Sequence, residues 1–137
     1  MTVAQIKESD KFLCGIELEH ISAYLIYLGG QKCQYYVFHN GEILFEGNDY
    51  KPSPLHNQDD LESVIDLLGF ICCKPGDTDP EYFAKYTKKQ LDWANSFECE
   101  QLQGYISDFE NKAEPEYMTN AQIMFTSSFV NAERLFI

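Results

Sequence analysis

Carboxylates dominate the side chains capable of chemistry. From residue 92 onward the chain holds Asp92, Glu98, Glu100, Asp108, Glu110, Glu114, Glu116 and Glu133, against only Lys112 and Arg134. A second cluster is Asp59, Asp60, Glu62 and Asp66, and a third is Asp77, Asp79 and Glu81. Such a surface has two readings. It is a solvated acidic coat that keeps the protein soluble, or it imitates the charge of a nucleic-acid backbone. Duplex DNA carries one charge per ~1.7 Å of axis, and carboxylates on successive helical turns lie ~5.4 Å apart, near the phosphate spacing along one strand. The three-dimensional spacing that separates the two readings is not written in the sequence.

Other reactive groups are sparser. The histidines are His20, His39 and His56, and none lies in an HxxxH or HExxH pattern. A triad or metal site would need distant segments to converge. Glu17, Glu19 and His20 offer carboxylates and an imidazole at an unspecific spacing. Asp77 and Asp79 sit in a loop without the length or terminal glutamate of a calcium-binding EF-hand, and helix capping explains them. The five cysteines, Cys14, Cys33, Cys72, Cys73 and Cys99, form no CxxC pair. Neither a zinc ribbon nor a thioredoxin-like site is expected, and free thiols point to a reducing, intracellular setting. No metal, cofactor or catalytic residue is expected. Tyr24, Tyr27, Tyr35 and Tyr36 cluster in one stretch, with Tyr50 beyond it. They are ordinary amphipathic sheet residues or an aromatic protein-binding face, because tyrosine is enriched at interface hot spots.

The elements that must position these groups change character along the chain. Residues 1–18 are ambiguous: Val3, Ile6, Phe12 and Leu13 line a short helix or a lead-in arm. From Ile21 the residues are β-formers, broken at Gly29-Gly30 and again at Asn40-Gly41. Asn-Gly between two such runs is a strong hairpin signal, because both residues tolerate the positive φ of a type I′ turn. A three-stranded antiparallel meander is therefore expected over about residues 20–47, ended by Gly47-Asn48-Asp49. Leu61, Val64, Ile65, Leu68 and Cys72 recur at helical spacing, with Leu67, Phe70 and Ile71 on a second side. That predicts a central helix over 59–73, packed on the sheet. Asp79-Pro80 starts a further helix, and Thr87 with Gln90 forms a capping box. Beyond it the pattern predicts one long helix, or two joined near Ser96–Glu98. A last helix, capped by Thr119 or Asn120, carries Ile123, Met124, Phe125, Phe129 and Val130. Strands followed by helices argue an α+β class, a single domain over 1–137 with its helical part in 79–137.

Composition narrows the function classes. The 137 residues include 9 Tyr, 10 Phe and 1 Trp, which excludes a disordered chain. The net charge of −12 disfavours direct contact with nucleic acid or an anionic membrane. Arg134 is the only arginine, whereas phosphate and base recognition rely on several. Phosphoryl transfer likewise calls for clustered cations. The longest apolar stretch, near Tyr24–Leu28, is far short of a membrane span, and Met1–Asp10 lacks the apolar core of a secretory signal.

From Ser53-Pro54-Leu55-His56 through Leu67-Leu68-Gly69-Phe70 to Lys74-Pro75-Gly76-Asp77-Thr78-Asp79-Pro80-Glu81-Tyr82-Phe83, and on through Thr87-Lys88-Lys89-Gln90-Leu91, the sequence resembles small acidic proteins carried by phages and plasmids. The resemblance covers about residues 40–110 and supplies no catalytic motif. It implies a mobile element in the cytoplasm of a bacterial host, where small acidic proteins inhibit host defence as anti-CRISPR or anti-restriction factors. The expectation is a non-enzymatic inhibitor that binds a basic surface of a nucleic-acid-processing complex, with nucleic-acid mimicry as one form. Its contact residues would be Asp59, Asp60, Glu98, Glu100, Asp108 and Glu110, with Tyr35 and Tyr36 as apolar anchors. The rivals are a small enzyme or ligand-binding domain, with His56, Cys72, Cys73 and Asp77 beside a pocket between sheet and central helix, and a homodimer pairing through the tyrosines.

Overall fold

A computed structural model describes residues 1–30, 32–50, 64–69, 72, 86–111 and 120–131. The class is α+β, and the chain divides into two compact units, Met1–Ile65 with Phe125–Ile137, and Asp66–Met124.

The first unit is built on a five-stranded antiparallel sheet. Helix α1 (Val3–Glu8) precedes β1 (Phe12–Glu17), β2 (Ile21–Gly29), β3 (Lys32–His39) and β4 (Glu42–Tyr50), and β5 (Phe129–Asn131) returns much later in the chain. The order across the sheet is β4-β3-β2-β1-β5. The expected meander is β2-β3-β4. Its second turn closes between His39 and Glu42, with Asn40 at φ 50° and Gly41 at φ 83°, the type I′ geometry that Asn-Gly favours. Gly29 and Gly30 also take positive φ at the first turn.

Three sequence expectations are corrected here. Residues 12–17 are strand β1 and not a lead-in arm, although 3–8 do form the short helix, held by a reciprocal Thr2–Gln5 capping box. Phe129 and Val130 do not continue the last helix; they pair with Ile16 and Gly15 as β5. β4 does not stop at Gly47-Asn48-Asp49 but runs to Tyr50. Glycine at 47 suits the strand interior because the Tyr35 hydroxyl lies only 2.7 Å from where a Cβ would stand.

Strand pairing assigns the faces, because successive side chains alternate. One face carries Phe12, Tyr24, Ile26 and Phe38, a buried cluster completed by Ile6 from α1. The Tyr24 ring meets Phe12 at 6.2 Å and Phe38 edge-on at 6.0 Å, geometries that aromatic pairs prefer. The other face carries Cys14, Ile16, Ala23, Leu25, Cys33 and Val37, all buried. With both faces apolar, β2 reads as a near-continuous hydrophobic run rather than an alternation. Gly15 is where β1 passes under the Tyr24 ring: an added Cβ would lie 2.5 Å from Tyr24 Cδ1.

The second unit is helical. Residues 64–69 and 72 are helical, and Val64, Ile65, Leu67, Leu68 and Cys72 are buried around one exposed position, Asp66; the remainder of the helix expected over 59–73 lies outside the described residues. The unit boundary falls inside this stretch. Helices α2 (Lys88–Ala94) and α3 (Phe97–Asn111) follow within this unit, and α4 (Asn120–Ser128) spans the second unit boundary, between Met124 and Phe125. Among the described residues no helix is long and apolar enough to cross a membrane.

Candidate functional site

Helix α3 carries four of the predicted contact residues, and local capping decides where it begins. Thr87 caps α2 through the box with Gln90 that the sequence predicts. Asn95 ends α2, its backbone N–H and its side-chain amide both donating to the Leu91 carbonyl. Ser96 then turns the chain: its hydroxyl donates to the Trp93 carbonyl and accepts from the Cys99 N–H at 3.2 Å, the N-cap bond that opens α3. Of the two arrangements the sequence allows, two helices joined at Ser96 is the one observed.

The buried side of α3 is Cys99, Leu102, Ile106 and Phe109. Within the helical unit, the Gln103 side-chain amide donates to the Cys72 carbonyl, and the Cys99 thiol donates to the same oxygen at 3.9 Å. These bonds fix the rotation of α3, and with it the direction of its charges.

Glu100, Asp108 and Glu110 are exposed, whereas Glu98 is half-buried with Oε1 shielded from solvent. At ~100° per residue, Glu98 and Glu110 flank the buried side, while Glu100 and Asp108 share the exposed side two turns apart, ~12 Å along the axis. No two of the four stand at i,i+4, so α3 does not present a row of carboxylates at phosphate-like spacing. Glu98 and Glu100 lie in the first turn, where the helix dipole favours them. Asp108 and Glu110 lie at the opposite end, where the dipole opposes them by about 0.3–1 kcal/mol each, and no basic residue stands in that last turn. Among the described residues, Asp92 of α2 is ion-paired, with Lys88 Nζ at 2.8 Å, and its hydrogen bond and charge raise the Lys88 pKa. Asp59 and Asp60 lie outside the described residues.

The tyrosines do not form one face. Tyr35 and Tyr36 are neighbours in a regular stretch of β3, so their side chains leave opposite sides of the sheet. Tyr36 packs on the Phe12–Tyr24–Phe38 cluster, and its hydroxyl donates to Met1 Sδ at 3.5 Å. Tyr35 faces the other way, over Gly47. Tyr24 is buried, with 1% of its surface exposed.

Lys7, Glu17 and Tyr24 of the sheet unit form a small structural network. Glu17 Oε1 accepts from Lys7 Nζ at 2.9 Å, and Glu17 Oε2 accepts from the Tyr24 hydroxyl at 2.8 Å. Burial raises the Glu17 pKa, but the hydrogen bonds from Lys7 and Tyr24 and the Lys7 charge outweigh it, and the carboxyl ends below its ordinary 4.5. Burial, then the adjacent Glu17 charge, pushes the Tyr24 phenol up to about 12 against an opposing hydrogen bond with Ser22. A general acid or base works best near the operating pH. Both groups here are tuned away from neutrality, as in a structural latch. His20 Nε2 lies 3.6 Å from Glu19 Oε1 on the surface, and among the described residues no group of three His, Cys, Asp or Glu is placed to hold a metal ion. Cys14, Cys33, Cys72 and Cys99 are buried and form no disulfide. His56, Cys73, Asp77 and Asp79 lie outside the described residues.

Sequence reasoning missed Phe97. It is the first residue of α3 and is 76% exposed. Helical angle would have found it: Phe97 falls opposite Leu102 and Ile106, which the apolar spacing already buries. Compared with family models, with curated proteins and with solved structures, the chain matches none.

Proposed function

We propose that this protein is a non-enzymatic acidic binder that docks the exposed side of α3 onto a basic surface of another protein. The observation that supports this most is the pair Asp108 and Glu110. They oppose the helix dipole, no basic residue stands beside them in the last turn, and solubility would be served by carboxylates anywhere on the surface. The partner class is a nucleic-acid-processing complex, because such complexes keep a concentrated basic groove for their own ligand. Occupying the groove would inhibit the complex by steric and electrostatic competition. The scattered carboxylates of α3 favour an ordinary acidic interface over a phosphate-spaced imitation of duplex DNA. The setting that goes with this reading is a mobile element in a bacterial cytoplasm.

The test is capture from a host lysate with the whole chain as bait, washed in rising salt with and without competing DNA. A nucleic-acid-binding complex should be retained and then released by salt or DNA. The triple change E100K/D108K/E110K should abolish its retention, whereas K88E/K89E should not. Equal retention by both variants defeats the reading.

A further inference from the structure

The exposed side of α3 is not uniformly acidic. Phe97, Gln101, Gly104 and Asp108 recur at intervals of four, three and four residues, which places them in one line along the helix. Phe97 is the most exposed of the large hydrophobic residues described, at 76%. An isolated exposed aromatic is common on a surface, but this one has a second feature in line with it. Gly104 sits in the middle of a 15-residue helix, where glycine is disfavoured. Among the described residues, a Cβ at Gly104 would meet nothing within 4 Å, so no packing against them requires glycine there. An aromatic projection with a position free of any side chain about two turns along the same line is a shape that an incoming surface can grip and approach closely.

The charges beside the line select the occupant. Glu100 and Asp108 lie on the same exposed side, and α3 contains no lysine or arginine. A second copy of this chain would bring the same carboxylates and another −12 of net charge against the first, and nucleic acid would be repelled likewise. A basic protein surface fits.

Resting on the reading above, we propose that Phe97 is the apolar anchor of that contact, inserted into an apolar pocket ringed by lysine or arginine on the partner, with Gly104 as the point of closest backbone approach. Charge brings the partner to α3, and the ring distinguishes a surface with a pocket from one that is merely cationic.

Two peptide probes of equal positive charge separate these contributions, one lysine-rich with serine spacers, the other with leucine in place of serine at helical spacing. Binding of each to the full chain is read by fluorescence anisotropy. The leucine probe should bind about tenfold more tightly or better, from burial of an aromatic ring. F97A should remove this preference and leave the serine probe unchanged, and F97L should keep part of it. A preference that survives F97A overturns the proposal, as does light scattering that shows a dimer lost in F97A. Failure of the underlying reading looks different: E100K/D108K would leave the binding of both probes as it was. A far-ultraviolet spectrum matching the parent confirms that each variant is folded.

Discussion

Glu17 and Gly15 of the sheet unit stand in opposite surroundings to the exposed carboxylates and Gly104 of α3 in the helical unit. In the sheet unit Glu17 is held by two donors and packed beside a buried phenol. In the helical unit Glu100, Asp108 and Glu110 project into solvent. Gly15 lies directly under an aromatic ring, while among the described residues nothing stands within 4 Å of a Cβ at Gly104. The same residue type is a packing necessity in one unit and an unexplained cost in the other. The lesson is that a polar or small residue points to function when the surrounding structure does not need it.

The sharpest way to break this contrast is one substitution made twice. Gly15→Ala should destabilise the sheet unit by about 1–3 kcal/mol, since the new methyl meets the Tyr24 ring at 2.5 Å and the Ala23 carbonyl at 2.7 Å. Hydrogen exchange at β1 and β2 amides should accelerate accordingly; unchanged protection would refute the packing argument. A smaller loss, about 1–2 kcal/mol, is expected from Glu17→Gln, which weakens the charge-assisted bonds from Lys7 and Tyr24. Because the folded Glu17 pKa lies below its ordinary 4.5, its contribution is complete above that value and is lost as pH falls through the folded pKa. Tyr24, raised to about 12, supports the fold below its ordinary 10.0 and ceases to do so between there and about 12. Urea unfolding across pH should show both flanks, and Glu17→Gln should flatten the acid one. The smallest effect has the opposite sign. Gly104→Ala should stabilise α3 by about 1 kcal/mol, read as slower exchange of its amides. A loss of protection there would mean that the glycine serves packing after all.

What could be read from sequence alone follows the range of the interactions involved. Asn40-Gly41 and the Thr87–Gln90 box are local, and each is legible because its chemistry is complete within four residues; the break near Ser96 is legible only as one of two arrangements, one long helix or two. β1 was not legible. It is buried on both faces, so it lacks alternation, and a register shift between Phe12 and Cys14 breaks what pattern there is. β5 has three residues and directly follows a helix, so only its pairing with β1 makes it a strand. In the candidate site the identity of the carboxylates was plain. Their distribution around α3 needed the start of the helix, and that was uncertain until the Ser96 cap was located. Tyr35 and Tyr36 illustrate the converse: adjacency in sequence suggested a shared surface, and strand alternation separates them.

The pairing of Cys14 with Asn131 joins the first strand described to the last one described. On the ribosome, β1 to β4 emerge in succession and can pair by local hairpins, but the outer edge of β1 must wait until the chain as far as Asn131 has been made. During that interval a nascent chain displays unpaired backbone beside Leu13 and Ile16, a template for pairing with another nascent copy. β5 therefore does more than add three residues to a sheet: its arrival ends the period in which neighbouring chains on one message could join edge to edge.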